Sequence, residues 1–325
     1  MSSRRGGSQL LIDYESDSFP ASRGLSLSGQ LAVTWGDILW AAVTLGRPNL
    51  HYVFEHGPAS KYEAVFRWSL VRMALEQRGP FGSRLRRTDA FRSLDPTEKG
   101  SINYFLGMTL CKLFADKLLG TPWLLHLDVF RNQLGPTILT GRSRPDLVGQ
   151  EAVGVAWHAF ESKGRASVPG ANEKAKAKAQ AQRLVSVNCQ ACDLHIGAIT
   201  YFRNDVLRFY WRDPEPEVGR GISIPDPSNM WGYYYSPFVA LLRDATIGGA
   251  EAPAAGQIVA VDGLDLEIGA HEEIYSALFA EDWMRARIIA KNNREVFIKD
   301  GYKSDGLLVR AGNSWRVRLG RAPLG

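Results

Sequence analysis

Asp146, Glu161 and Lys163 are the residues whose types and spacing first invite chemistry. They stand in "RPDLVGQEAVGVAWHAFESK", residues 144 to 163, where an apolar run ends on a carboxylate and an amine two residues apart. Side chains of an extended chain alternate faces, so Val155, Trp157, Ala159, Glu161 and Lys163 share one side and Ala156, His158, Phe160 and Ser162 the other. If this strand lies antiparallel to one that begins near Asp146, that aspartate arrives beside Glu161 and Lys163. Two carboxylates brought together repel unless a cation joins them, and Mg²⁺ takes one or two carboxylates together with water and phosphate oxygens. An ammonium beside them would orient or deprotonate a water, or neutralise charge developing on phosphorus.

The elements around these residues are legible in outline. Residues 1 to about 30, rich in Ser, Gly and Arg, read as a tail. "WGDILWAAVTLG" and "SKYEAVFRWSLVRMALEQRG" read as helices; in the second, Tyr62, Phe66, Leu70 and Met73 recur at helical spacing and are taken as core rather than as a base-stacking platform. "DPTEKGSINYFLGMTLCKLFADKLLG" reads as one long helix with Asp95 at its N-cap and Gly120 at its end. Short strands follow over 122–130, 144–149 and 153–163, and "NEKAKAKAQAQRLVSVN" is strongly helix-forming. "HIGAITYFRNDVLRFYWRDP" reads as a strand hairpin. Beyond a Pro/Glu/Gly-rich connection come an aromatic segment ("MWGYYYSPF"), a helix ("HEEIYSALFAEDW") and late strands from "REVFIK" onward. Three parts result: a tail and helical region over 1–94, a core over 95–216 and an accessory α+β region over 217–325. The core is an α/β arrangement, a mixed central sheet flanked by helices.

"RPD", then "ESK" fifteen residues on, within helix-strand-strand-strand-helix-strand, resembles the PD-(D/E)XK nuclease superfamily and its restriction-endonuclease-like fold. The resemblance covers roughly residues 95 to 215 and leaves both ends unexplained. It implies Mg²⁺- or Mn²⁺-dependent cleavage of phosphodiester bonds in DNA, with Asp146 and Glu161 as metal ligands and Lys163 as the catalytic lysine; defence against foreign DNA, or repair, is the setting by analogy of fold. The alternative is a nuclease-fold subunit that binds DNA or a partner protein and cleaves weakly or not at all. The family often adds an acid from the helix before the first strand. Glu98 and Asp116 are candidates, and chain direction favours Glu98 as a further metal ligand, because the first turn of an antiparallel helix lies at the active end of the sheet. Glu98 equally suits an N3 position that reaches back toward Asp95. Asp128 is a third candidate.

Charge is uneven. The net charge is +5 and the pI about 9.1. Residues 61–94 carry eight basic side chains against three acidic ones, and residues 163–183 six against one. Such clusters suit a polyanion. Arg144, Arg165, Lys174, Lys178 and Gln182 are the candidate nucleic-acid contacts, the last three spaced i, i+4, i+8 along one helix flank. Cys189, Cys192 and His195 have ligand-like spacing but no second Cys-x-x-Cys accompanies them, which favours two buried thiols over a zinc site. No Walker or dinucleotide glycine motif and no grouping of nucleophile with histidine stands out. With no long apolar run, and with cysteines that cannot all pair, a cytoplasmic protein without membrane contact is expected, with the N- or C-terminal regions available for self-association or a partner protein.

Overall fold

The computed structural model describes residues 9–45, 59–77, 83–127, 145–213, 220–222, 227–245, 254–261 and 263–316. In chain order the elements are β1 (Leu10–Asp17), β2 (Ser28–Val33), α1 (Trp35–Thr44), α2 (Ala59–Ala74), β3 (Leu75–Gln77), β4 (Leu85–Arg87), α3 (Asp89–Ser93) and α4 (Pro96–Leu119). They continue with β5 (Trp123–His126), β6 (Leu147–Gln150), β7 (Trp157–Gly164), α5 (Ala171–Ala181), β8 (Leu184–Val187), β9 (Gln190–Arg203), β10 (Val206–Arg212) and β11 (Arg220–Ile222). The last are α6 (Pro227–Ala245), β12 (Ile258–Val261), β13 (Leu266–Ala270), α7 (Glu272–Phe279), α8 (Trp283–Lys299) and β14 (Leu307–Ala311).

The central sheet is mixed and helices flank it. Its order is β2-β1-β10-β9-β7-β6-β5. β5, β6 and β7 form an antiparallel meander, and α5 then crosses over so that β9 lies parallel to β7. The hairpin β9–β10 closes through Asn204 and Asp205, both with positive φ, as a tight hairpin turn requires. A smaller antiparallel sheet, β12-β13-β14, belongs to the C-terminal part. One hydrophobic core takes in residues from β1, α1, α2, α4, β7, α6, α7, α8 and β14.

Local chemistry sets the long helix that backs the site. Asp95 caps α4 by accepting from the Thr97 and Glu98 amides, Pro96 opens its first turn, and Gly120 ends it at φ 63°. On one face of α4 the helix comes unusually near β7: a Cβ built on Gly107 would stand 2.9 Å from the Gly164 nitrogen, and one on Gly164 would fall on the Asn103 carbonyl oxygen. Only glycine at both positions allows that approach.

Several expectations are corrected. Residues 10–17, taken as tail, are strand β1, parallel to β10 and antiparallel to β2. The expected stripe of α2 holds only in its second half: Leu70 is buried and Met73 packs on the core beside the buried Trp68 and Val71, whereas Tyr62 is 67% and Phe66 52% exposed. "REVFIK" continues helix α8, because its apolar residues serve a helical face and only Phe297 is buried. Residues 184–187 leave the helix and form β8. The aromatic segment 231–238, by contrast, goes where such a run most commonly goes: it is helical within α6, with Trp231, Tyr234, Tyr235 and Phe238 buried in the protein's own core.

Candidate functional site

Register brings the two carboxylates together. β6 pairs with β7 so that Leu147 faces Phe160, which carries Asp146 alongside Glu161. The Ser162 amide donates to Asp146 Oδ2 at 3.0 Å, and the Asp146 carbonyl accepts from the Leu127 amide at 2.7 Å. Asp146 is thereby pinned from both neighbouring strands. Glu161 is 3% exposed. Its Oε1 accepts from Lys163 Nζ at 2.6 Å, as same-face alternation requires, and the ammonium also donates to Gln180 Oε1 at 2.6 Å. Glu161 Oε2 is buried and has no hydrogen-bond partner among the described residues.

The electrostatics follow from that crowding. Burial, then the negative charge of Asp146, push the Glu161 carboxyl up to about 7, while Lys163 and the Asp146 backbone N–H pull it back. The same carboxylates act on groups from α4: burial, helped by Asp146 and Glu161, pushes the Tyr104 hydroxyl up to about 12 and raises the Cys111 thiol strongly. Tyr104 is 40% exposed and its hydroxyl lies 3.1 Å from His126 Nε2, at the end of β5. Arg67 of α2 closes this side: its Nε donates to Glu63 at 3.0 Å and its guanidinium lies over the Phe105 ring.

A hard divalent cation fits this donor set. A buried carboxylate oxygen that meets no hydrogen-bond donor among the described residues, beside a second carboxylate, offers the hard oxygen donors that such an ion takes; Asp146 and Glu161 are the residues that would hold it. Among the described residues the grouping of three potential metal-ligating side chains lies elsewhere, at Glu151, His158 and Asp193, with ligand atoms within 4.8 Å of one another. There Arg23 already supplies the positive charge, donating to Glu151 at 2.6 Å and to Asp193.

Among the described residues, Glu98, Asp116, Arg165 and Lys174 engage groups other than the carboxylate pair. Glu98 is exposed at N3 of α4 and its carboxylate faces the Asp95 amide at 3.4 Å, the capping arrangement that its position also suits. Asp116 is buried and accepts from Ser304 Oγ at 2.6 Å. Arg165 pairs with Glu173 at 2.9 Å. Lys174 Nζ rests 3.8 Å from the Tyr210 ring centre and 3.9 Å from the Glu15 carboxylate. Gln182 is 5% exposed instead of lying on an open flank, because α5 ends at Ala181 and the helical spacing stops there. Arg144, Asp128 and the Lys178 side chain lie outside the described residues. Cys192 is buried but Cys189 is exposed, and His195 Nε2 has no hydrogen-bond partner.

Sequence reasoning missed Gln180, Tyr104 and His126. The legible signal for the α4 side was Gly107, a glycine in mid-helix that marks a close neighbour. Nothing local distinguishes Gln180 from Gln182. Comparison of the chain with protein-family models, with curated proteins and with solved structures finds no match.

Proposed function

We propose that this chain is a divalent-cation-dependent nuclease of the PD-(D/E)XK type that hydrolyses phosphodiester bonds of DNA. One observation carries the reading: Asp146 beside a buried Glu161 whose Oε2 has no hydrogen-bond partner among the described residues and whose Oε1 is held by Lys163. The order α4, β5, β6, β7, α5, β9 adds support, since it is the helix, three strands, helix, strand succession implied by a restriction-endonuclease-like core. β8 departs from it by intervening between α5 and β9.

In this reading Asp146 and Glu161 hold the cation. When bound, it supplies positive charge to the phosphate oxygens and acidifies water. Lys163, steadied by Glu161 and Gln180, keeps an ammonium at the edge of the carboxylate pair, where it orients the attacking water and offsets charge on the phosphoryl group. The buried apolar residues behind the pair, Ala159 and Phe160 on β7 and Leu147 on β6, keep water from screening these charges.

The test is incubation of the purified protein with plasmid, linear and single-stranded DNA in Mg²⁺, Mn²⁺ or EDTA. Cleavage is expected with either cation and none in EDTA. Asp146→Ala is expected to abolish cleavage with the fold retained, and Lys163→Ala to keep Mn²⁺ binding by calorimetry while cleavage falls by at least about a hundredfold. Cleavage by Lys163→Ala at the wild-type rate would remove the catalytic role of the lysine, and DNA binding without cleavage in any metal would favour the binding-subunit alternative.

A further inference from the structure

The aromatic residues of α2 are the feature that the nuclease reading leaves unused. Tyr62 and Phe66, four residues apart and so on one helix face, are both more than half exposed. Large rings held out to water cost free energy without serving the core. They do not stand alone. Phe66 meets Phe105 of α4 edge to face with ring centres 6.1 Å apart, and Phe105 meets Tyr104 at 5.8 Å. Tyr104 is the ring whose hydroxyl is electrostatically coupled to both Asp146 and Glu161. Ring contacts therefore run from Phe66 through Phe105 to Tyr104, whose hydroxyl meets His126, and His126 pairs across the sheet with Leu147, the neighbour of Asp146; the Arg67 guanidinium lies 5.5 Å from the Phe105 ring centre.

We infer that this strip, Tyr62, Phe66 and Tyr104, is a stacking platform for unpaired bases, and that the strand delivered to Asp146 and Glu161 is single-stranded or locally melted. The inference rests on the nuclease reading for its direction, since it is the carboxylate pair that gives the strip an end. Three features select this occupant. The rings lead toward the site proposed to act on phosphodiesters. They are aromatic and carried by a basic stretch of chain, residues 61–94 holding eight basic side chains against three acidic ones, and a ring face accepts any base while the basic groups suit its phosphates. The usual alternative grip, a free basic row along α5, is weakened because Lys174 rests on Tyr210 and Gln182 is buried. In a duplex the base faces are covered by their neighbours and cannot reach these rings.

The experiment separates this inference from the reading beneath it. In the full-length Glu161→Gln background, chosen so that any cleavage is suppressed, the affinities for a short single strand and for a blunt duplex of the same sequence are measured in Mg²⁺ by fluorescence anisotropy. Tyr62→Ala and Phe66→Ala are each expected to lower single-strand affinity about tenfold or more, with duplex affinity unchanged. Phe66→Leu, which keeps the apolar bulk and removes the ring, is expected to behave like Phe66→Ala, and Phe66→Trp to retain binding. Equal single-strand affinity across the series overturns the platform, as does loss of self-association by the alanine variants in sedimentation, which would make the strip an interface between copies of this chain. If the wild type cuts DNA and the ring variants are silent, only the platform fails. If the rings bind single strands and no DNA is cut in any metal, the nuclease reading fails and the platform stands.

Discussion

Glu161 carries the clearest consequence of a single residue's surroundings. Its folded carboxyl is raised from 4.5 to about 7, chiefly by burial and then by Asp146. The metal-free folded protein therefore holds a proton there that the unfolded chain releases above pH 4.5. The associated stability is full below that pH and is lost as pH rises through about 7. Glu161→Gln, close in shape and uncharged, is expected to lack this loss and to be more stable than the wild type in EDTA at mildly alkaline pH, by on the order of 1–3 kcal/mol. Urea unfolding in EDTA on either side of neutrality checks it. On the proposed reading a divalent cation would reverse the preference, because it would bind the ionised carboxylate; Mn²⁺ affinity is then expected to rise with pH through about 7 and level. An affinity flat across that range would place the cation on other ligands.

Among the elements, the contact of α4 with β7 decides where the pair of carboxylates sits. Two glycines, Gly107 and Gly164, let a helix backbone approach a strand end, and that strand end carries Glu161 and Lys163. Gly164→Ala is expected to force the two apart and cost about 1–3 kcal/mol or more, as overpacking does. Cleavage is expected to fall further than stability alone would explain, since Lys163 is the adjacent residue. Gly100 of the same helix supplies the control. A Cβ there meets nothing within 4 Å, so Gly100→Ala is expected to stabilise by roughly 0.5–1 kcal/mol through backbone entropy alone. Thermal unfolding of the two variants, opposite in sign, tests the assignment of close approach. The exposed ring strip belongs to this scale too: α2 buries Trp68 with its indole N–H bonded to the Leu39 carbonyl at 3.1 Å, and that choice of face turns Tyr62 and Phe66 outward.

For the whole molecule, a buried polar cluster ties the parts together. Lys112 of α4 is fully buried; its ammonium donates to the Pro122 carbonyl at 2.6 Å and the Tyr234 hydroxyl at 2.9 Å, and lies 4.3 Å from the Trp40 ring centre. Asp305, just before β14, accepts from Trp40 at 2.8 Å and from Tyr234 at 2.7 Å. Burial lowers the lysine to about 7 against the pull of Asp305 and Asp116, and burial raises Asp305. α1, α4, α6 and the C-terminal strand thus share one network. Lys112→Ala leaves a cavity and a buried carboxylate without its cation, and is expected to cost about 3–5 kcal/mol. Lys112→Met fills most of the volume and leaves Asp305 with its Trp40, Tyr234 and Leu307 donors, so it is expected to cost clearly less. Denaturant midpoints of the two variants check this, and equal losses would deny the cavity a role and leave the lost charge, common to both, as the cause.

Much of the site could be read before its surroundings could. The alternation of β7 puts Glu161 and Lys163 on one face, and the proline before Asp146 and the apolar run before Glu161 make a meander that joins the carboxylates. Asp95 and Gly120 bound α4 by chemistry local to each end. These follow from short-range rules: a two-residue period, a capping side chain, a residue able to take positive φ. Tertiary structure decided the rest. β1 joins the sheet by pairing Asp13 with Arg208, and no local pattern announces a partner so distant in the chain. The buried face of α2 was chosen by where Trp68 could pack, Gln182 was buried because α5 stops one residue earlier, and Gln180 reached Lys163 because the crossover helix lies over β7. Whether an amphipathic stripe faces inward, and which polar group meets which, depends on the surface it docks against; that surface comes from residues far away in the chain.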